Sequence, residues 1–137
     1  MIDILNIDGK SIPDKIEDAI ENVRKQLPNL TTERTCIIYS EYMKKELDKL
    51  HTINRIIRTK ELDYPYNHHF NIVIDKNSYY IVDLTYKQFQ NPEFLDLIFK
   101  GYQEMSENDV KKYLEIVGKE KKDITKDNIT NILEKGR

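Results

Sequence analysis

Apolar positions change period along this chain, and the changes mark its elements. In SIPDKIEDAIENVRKQLP (11–28), Ile16, Ile20, Val23 and Leu27 recur at spacings of four, three and four, the stripe of a helix with one buried face. Pro13 suits its first turn and Pro28 its end. In CIIYSEYMKKELDKL (36–50), Cys36, Met43, Leu47 and Leu50 share a helical face, with Thr35 as the expected cap. The period then falls to two. TINRIIR (52–58) is short and β-branched, and alternating runs near 68–75 and 78–84 flank a turn at DKNS. Beyond them, NPEFLDLIFKGYQEM (91–105), SENDVKKYLEIVGK (106–119) and ITKDNITNILEKG (124–136) predict three helices, with Ser106 and Thr125 as caps and Gly118 and Gly136 as stops. MIDILNIDGK (1–10) predicts a short strand or arm closed by an Asp-Gly turn.

Helix, helix, strands, helices is the order of an α+β fold with an antiparallel sheet. No repeat, low-complexity tract or Gly/Ser linker divides the chain, and 137 residues are enough for one core, so a single domain over 1–137 is expected.

Composition narrows the partners. The chain is 34% charged and 39% apolar, with a net charge of -2 and its Lys and Arg scattered among Asp and Glu. Without a basic stripe, nucleic acid is not an expected partner. No apolar run approaches the ~20 residues of a membrane span, so no membrane association is expected. The first ten residues lack a basic region followed by an apolar one, which predicts no signal peptide. The lone cysteine, Cys36, cannot form an internal disulfide. It points to a reducing compartment or to a thiol kept for its reactivity.

That thiol sits where a helix should begin. Unsatisfied N–H groups there favour a thiolate, the form that attacks a carbonyl. The competing reading is a small buried hydrophobe. The hairpin supplies possible partners. Opposed residue numbers add to 153 with a two-residue loop (Lys76, Asn77) and to 151 with a four-residue loop over 74–77. Either sum puts His68 on the face of Asp83, opposite it or on a diagonal, and His69 on the other face. A loop of three or five residues would exchange the two histidines. An imidazole oriented by a carboxylate is the base that acyl transfer needs, and Cys36, His68 and Asp83 would complete a triad. A surface ion pair at a strand end is the bland alternative.

The segment 32–90 resembles the papain-like and transglutaminase-like cysteine enzymes, and looks closest to small bacterial effector and toxin glutamine deamidases. The resemblance rests on Cys36 at a helix start, on HHFNIV with His68 and Phe70, and on IVDLTYKQF with Asp83, Thr85, Gln88 and Phe89. It departs at Phe70, where many relatives have Trp, at Leu84 in place of a proline, and at Leu30, six residues before the cysteine, where relatives often carry a Gln. The resemblance implies a papain-like or transglutaminase-like core, with the sheet packed on the cysteine helix and extra C-terminal helices outside it. It implies a catalytic Cys36, His68 and Asp83.

Asn29 and Gln88 are candidate oxyanion donors, with the Cys36 backbone N–H as another. Gln26 lies deep in the preceding helix and is not preferred.

The expected activity is a thiol-dependent amidohydrolase, either glutamine deamidase or protease, acting on protein substrates through a Cys36 thioester; an incoming amine in place of water would make the same first step a transamidation. Its site would be cytoplasmic, or a target cell's cytoplasm after delivery. The alternative is an inactive binding module on the same fold, an immunity or adaptor protein. No cofactor is expected. His51, His68 and His69 lack the spacing of a metal site, so no metal is expected either.

Overall fold

The computed structural model describes residues 9–27, 35–85 and 101–119. Helices α1 (Ile12–Gln26) and α2 (Thr35–Lys49) lead into strand β1 (Ile53–Arg58) and a 3₁₀ turn (Thr59–Leu62). Strands β2 (His69–Asp75), β3 (Ser78–Val82) and β4 (Tyr102–Met105) follow, then helix α3 (Glu107–Lys119). The four strands form one antiparallel sheet in the order β1-β2-β3-β4. The architecture is therefore α+β, as the order of elements predicts.

Both faces of the sheet are covered. Val73, Tyr80 and Val82 pack with Ile16, Ile20 and Val23 of α1 and Met43 and Leu47 of α2. On the opposite face, Phe70, Ile72 and Ile81 pack with Met105 and with Tyr113, Ile116 and Val117 of α3. Alternation along β2 and β3 feeds both cores, which is why the first five residues of β2 are all buried. Ser11 caps α1 by accepting from the Asp14 N–H, and Ser106 does the same for the Asp109 N–H of α3. The Tyr39 hydroxyl donates to the Leu27 carbonyl and ties α2 to the end of α1.

The β2–β3 hairpin has the two-residue loop. Asp75 pairs with Ser78 and Asn71 with Val82, and Lys76 takes the left-handed conformation at φ 55.

Three expectations need correction. Residues 102–105 are not helical: they are β4, paired from Tyr79↔Met105 to Val82↔Tyr102. Gly101, at φ 94, breaks the chain just before them and accepts the Asp83 N–H. A Cβ there would lie 2.6 Å from Leu84 Cδ2, so only glycine lets the chain pass this close. Gly118 is not a helix stop, since α3 continues through Lys119. Its missing side chain makes room for Tyr64, whose Cγ would lie 2.6 Å from a Cβ. Thr35 is the first residue of α2 rather than its cap. Of the expected strand or arm at 1–10 only Gly9 and Lys10 are described, and neither is in a strand; the helices over 91–100 and 124–136, and the caps or stops at Thr125 and Gly136, lie outside the described residues.

Candidate functional site

Each of the three predicted residues sits at the end of a different element. Cys36 is the second residue of α2, in the turn whose N–H groups favour negative charge. His68 immediately precedes β2, and Asp83 immediately follows β3. The pairing sum of 153 makes their relationship diagonal, on the face they share with Phe70, Ile72 and Ile81. All three residues are buried: Cys36 is 6% exposed, His68 0% and Asp83 3%.

The backbone of His68 is held by Thr59. The Thr59 hydroxyl accepts the His68 N–H at 2.7 Å and donates to the Tyr66 carbonyl, and the Thr59 N–H donates to the His68 carbonyl at 3.0 Å. The ring lies between two others, Tyr66 with centroids 6.5 Å apart and Phe70 at 5.8 Å, both close to parallel with it. This fixes the ring plane and leaves rotation about it to be settled by hydrogen bonds.

Nε2 of His68 lies 2.6 Å from Oδ2 of Asp83. Asp83 in turn is surrounded by donors. Its Oδ1 accepts from the Thr85 N–H at 3.0 Å and the Thr85 hydroxyl at 3.1 Å, and its Oδ2 also accepts from the Tyr113 hydroxyl of α3. An ionised carboxylate has about four lone-pair sites, and four donors meet them here. As an acceptor only, it requires His68 to carry a proton on Nε2, which leaves Nδ1 as the nitrogen that exchanges protons.

Cys36 and this ring influence each other's titration. Burial pushes its thiol up, but a side-chain hydrogen bond with His68, the charge of that ring and the His69 backbone N–H outweigh burial and the opposing Asp83 charge. The net shift is below the ordinary thiol value. For His68, burial disfavours the charged ring, while Asp83 and then Cys36 favour it and raise it to about 9. Both shifts run in the direction that favours a thiolate beside an imidazolium. Such a pair is a nucleophile with a proton donor alongside, able to attack a carbonyl carbon and protonate a leaving group.

His69 plays a different part. It shares a face with Asn71 and Val73, away from Asp83. Burial, then the charges of Arg58 and His68, hold its ring below the ordinary histidine value. Its backbone N–H serves the sulfur. The Asn71 side chain reaches α2 by donating to the Ser40 carbonyl at 2.9 Å. Beside the thiol, Ser40, His69, Asn71 and Thr85 line a cavity of about 10 Å³, at the lower limit for one water molecule.

The structure thus brings Cys36, His68 and Asp83 together and separates His69 from the carboxylate. Asn29 and Gln88 lie outside the described residues. The Gln26 amide donates to the Asn22 carbonyl and Glu46. His51 occupies the turn after α2, at φ 60. Among the described residues, no group of three or more His, Cys, Asp and Glu is set to hold a metal, and no helix is long and apolar enough to cross a membrane.

Sequence reasoning did not find Tyr113 or Thr59. Tyr113 lies in the apolar stripe of α3 with Ile116 and Val117, where a tyrosine reads as packing. Thr59 stands in a short polar turn, and its contacts with His68 depend on how residues 59–68 fold back.

Compared with protein-family models, with curated proteins and with solved structures, the chain matches none.

Proposed function

We propose that this chain is a thiol-dependent amidohydrolase that acts on protein substrates through a Cys36 thioester, built on a papain-like or transglutaminase-like core. The observation that carries the proposal is the 2.6 Å contact between the buried His68 Nε2 and Asp83 Oδ2, beside a Cys36 thiol that the same ring draws below its ordinary value. The thiolate attacks the carbonyl carbon of a carboxamide or peptide bond. The C–N bond breaks as the leaving nitrogen takes the proton from His68 Nδ1. Water then adds to the thioester, giving a proton back to His68, and the acid leaves with regeneration of the thiolate. Ammonia as leaving group makes the reaction a glutamine deamidation, and a peptide amine makes it a proteolysis.

A second reading is an inactive binding module on the same fold, an immunity or adaptor protein. The observation in its favour is the recession of the sulfur: Cys36 is 6% exposed and the cavity beside it is small.

Iodoacetamide labelling followed by intact mass separates the two. The hydrolase reading expects rapid labelling of Cys36 at neutral pH that slows at least tenfold in His68→Ala. Labelling at the rate of an unperturbed thiol of pKa ~8.5 in both proteins would favour the binding module. Incubating candidate protein substrates with wild-type and Cys36→Ala chains then separates a gain of roughly one dalton from cleavage, the two outcomes of the chemistry above.

A further inference from the structure

Helix α3 lies beyond the hairpin in sequence, yet one of its residues touches Asp83 and another holds the backbone of the residue stacked on His68. Tyr113 is fully buried, its ring packs edge-on against Phe70 at 5.1 Å, and its hydroxyl donates to Asp83 Oδ2. Five residues on, the Gly118 carbonyl accepts the Tyr66 N–H at 2.7 Å, and Tyr66 is the ring stacked on His68. One helix therefore touches the supports of both the imidazole and the carboxylate.

We infer that Tyr113 is a positioning residue for the Cys36–His68–Asp83 site, sharing with Thr85 the task of holding the Asp83 carboxylate and limiting how strongly that carboxylate binds the His68 ring. The inference rests on the triad reading above. Its physical basis is the sharing of one oxygen. Oδ2 accepts from both the His68 Nε2–H and the Tyr113 hydroxyl, so charge drawn toward the phenol is withdrawn from the imidazolium. Thr85 fixes the other oxygen by two hydrogen bonds, so the carboxylate stays in place without Tyr113, but its charge is then aimed at His68 alone. The ring would become more basic. A more basic imidazolium gives up its proton to a leaving amine less readily, so Tyr113 keeps His68 usable as an acid. The groups facing the His68 ring are Cys36 from α2, Asp83 after β3, Tyr113 through Asp83, the neighbouring His69 and the stacked Tyr66. Tyr113→Phe changes only one of these and keeps the ring that packs on Phe70.

The test is NMR titration of the His68 imidazole in the full-length Cys36→Ala protein, with and without Tyr113→Phe, alongside the pH profile of iodoacetamide labelling in proteins that retain Cys36. Tyr113→Phe is expected to raise the His68 titration by about half a pH unit or more, from the loss of one hydrogen bond to the carboxylate, and to move the high-pH limb of labelling the same way. An unchanged or lowered His68 titration, with rapid wild-type labelling, overturns the role of Tyr113 and leaves the triad standing. Wild-type labelling no faster than an unperturbed thiol overturns both.

Discussion

His68 and Asp83 meet on a diagonal of the β2–β3 ladder, not as a directly opposed pair. The register that pairs Asn71 with Val82 would set Asp83 across from Phe70, one step further along the same face. Both residues lie just past the paired segments, where the side chains can lean toward each other and close to 2.6 Å. Because the contact needs both strand ends, Asp83→Asn keeps the shape and removes the charge. Acyl transfer is expected to fall by 10²-fold or more, the range of general acid–base contributions, and Cys36 labelling at neutral pH to slow with it. Labelling of Asp83→Asn at the wild-type rate would separate the carboxylate from the thiol's reactivity.

The two adjacent histidines make opposite predictions. His68 is the ring on Asp83; His69 lies on the other face and contributes its backbone N–H to the sulfur. A side-chain substitution keeps that N–H. His69→Gln should therefore retain rapid Cys36 labelling within about threefold, whereas His68→Gln should lose it by tenfold or more, as expected when a thiolate loses its cationic partner. Equal effects in the two variants would contradict this division of roles.

How much of this was legible beforehand differs between residues. The two-residue loop is one of the lengths the DKNS turn allows, and the alternation of Phe70, Ile72 and Ile81 follows from it, so the face shared by His68 and Asp83 is a consequence of parity. Helix α1 follows from its apolar spacing and Pro13, and α3 from its Ser106 cap. The failures share a cause. Residues 102–105 pair only because β3 offers an open edge, and four residues carry too little periodic signal to distinguish strand from helix end. Gly118 reads as a stop by residue type, yet its role depends on Tyr64 arriving from far along the chain. Tyr113 reads as core because its hydroxyl's partner lies 30 residues away.

Gly118→Ala sets two local effects against each other. Inside a helix, alanine is favoured over glycine by about 1 kcal/mol. Here the added methyl would sit 2.6 to 2.9 Å from three atoms of Tyr64, and overpacking of this kind costs about 1–3 kcal/mol. The clash should win, lowering the urea midpoint, and should slow Cys36 labelling by displacing the 64–66 segment that stacks on His68. A variant more stable than wild type would show that Tyr64 moves aside freely.

Thr59 makes a sharper stability prediction. Its hydroxyl is buried and satisfies both the His68 N–H and the Tyr66 carbonyl. Thr59→Val preserves shape and leaves the buried His68 N–H without that partner, at a cost of about 1–3 kcal/mol. Urea denaturation should show a loss of at least about 1 kcal/mol. A loss below half of that would mean the loop rearranges to satisfy that N–H.

Stability against pH tests the ion pair without any substrate. His68 is raised from 6.5 to about 9 in the fold. Its contribution is therefore fully present below pH 6.5 and is lost as pH rises through about 9, because the folded state holds a proton that the unfolded state has released. Cys36 is shifted the other way, below 9.0. Its contribution is present above 9.0 and is lost as pH falls through the folded value. Where both groups are charged in the fold and neutral in the unfolded chain, the proton counts match and the two slopes cancel. Between pH 7 and 8.5 the wild-type urea midpoint should therefore fall less steeply than His68 alone would make it. Cys36→Ala removes one slope and keeps the larger cause of the other, since Asp83 precedes Cys36 among the groups that raise His68. That variant should lose stability with rising pH across the same interval, at up to about 1.4 kcal/mol per unit. Parallel curves for the two proteins would mean that the sulfur and the imidazole do not exchange a proton on folding, and that their proximity is only packing.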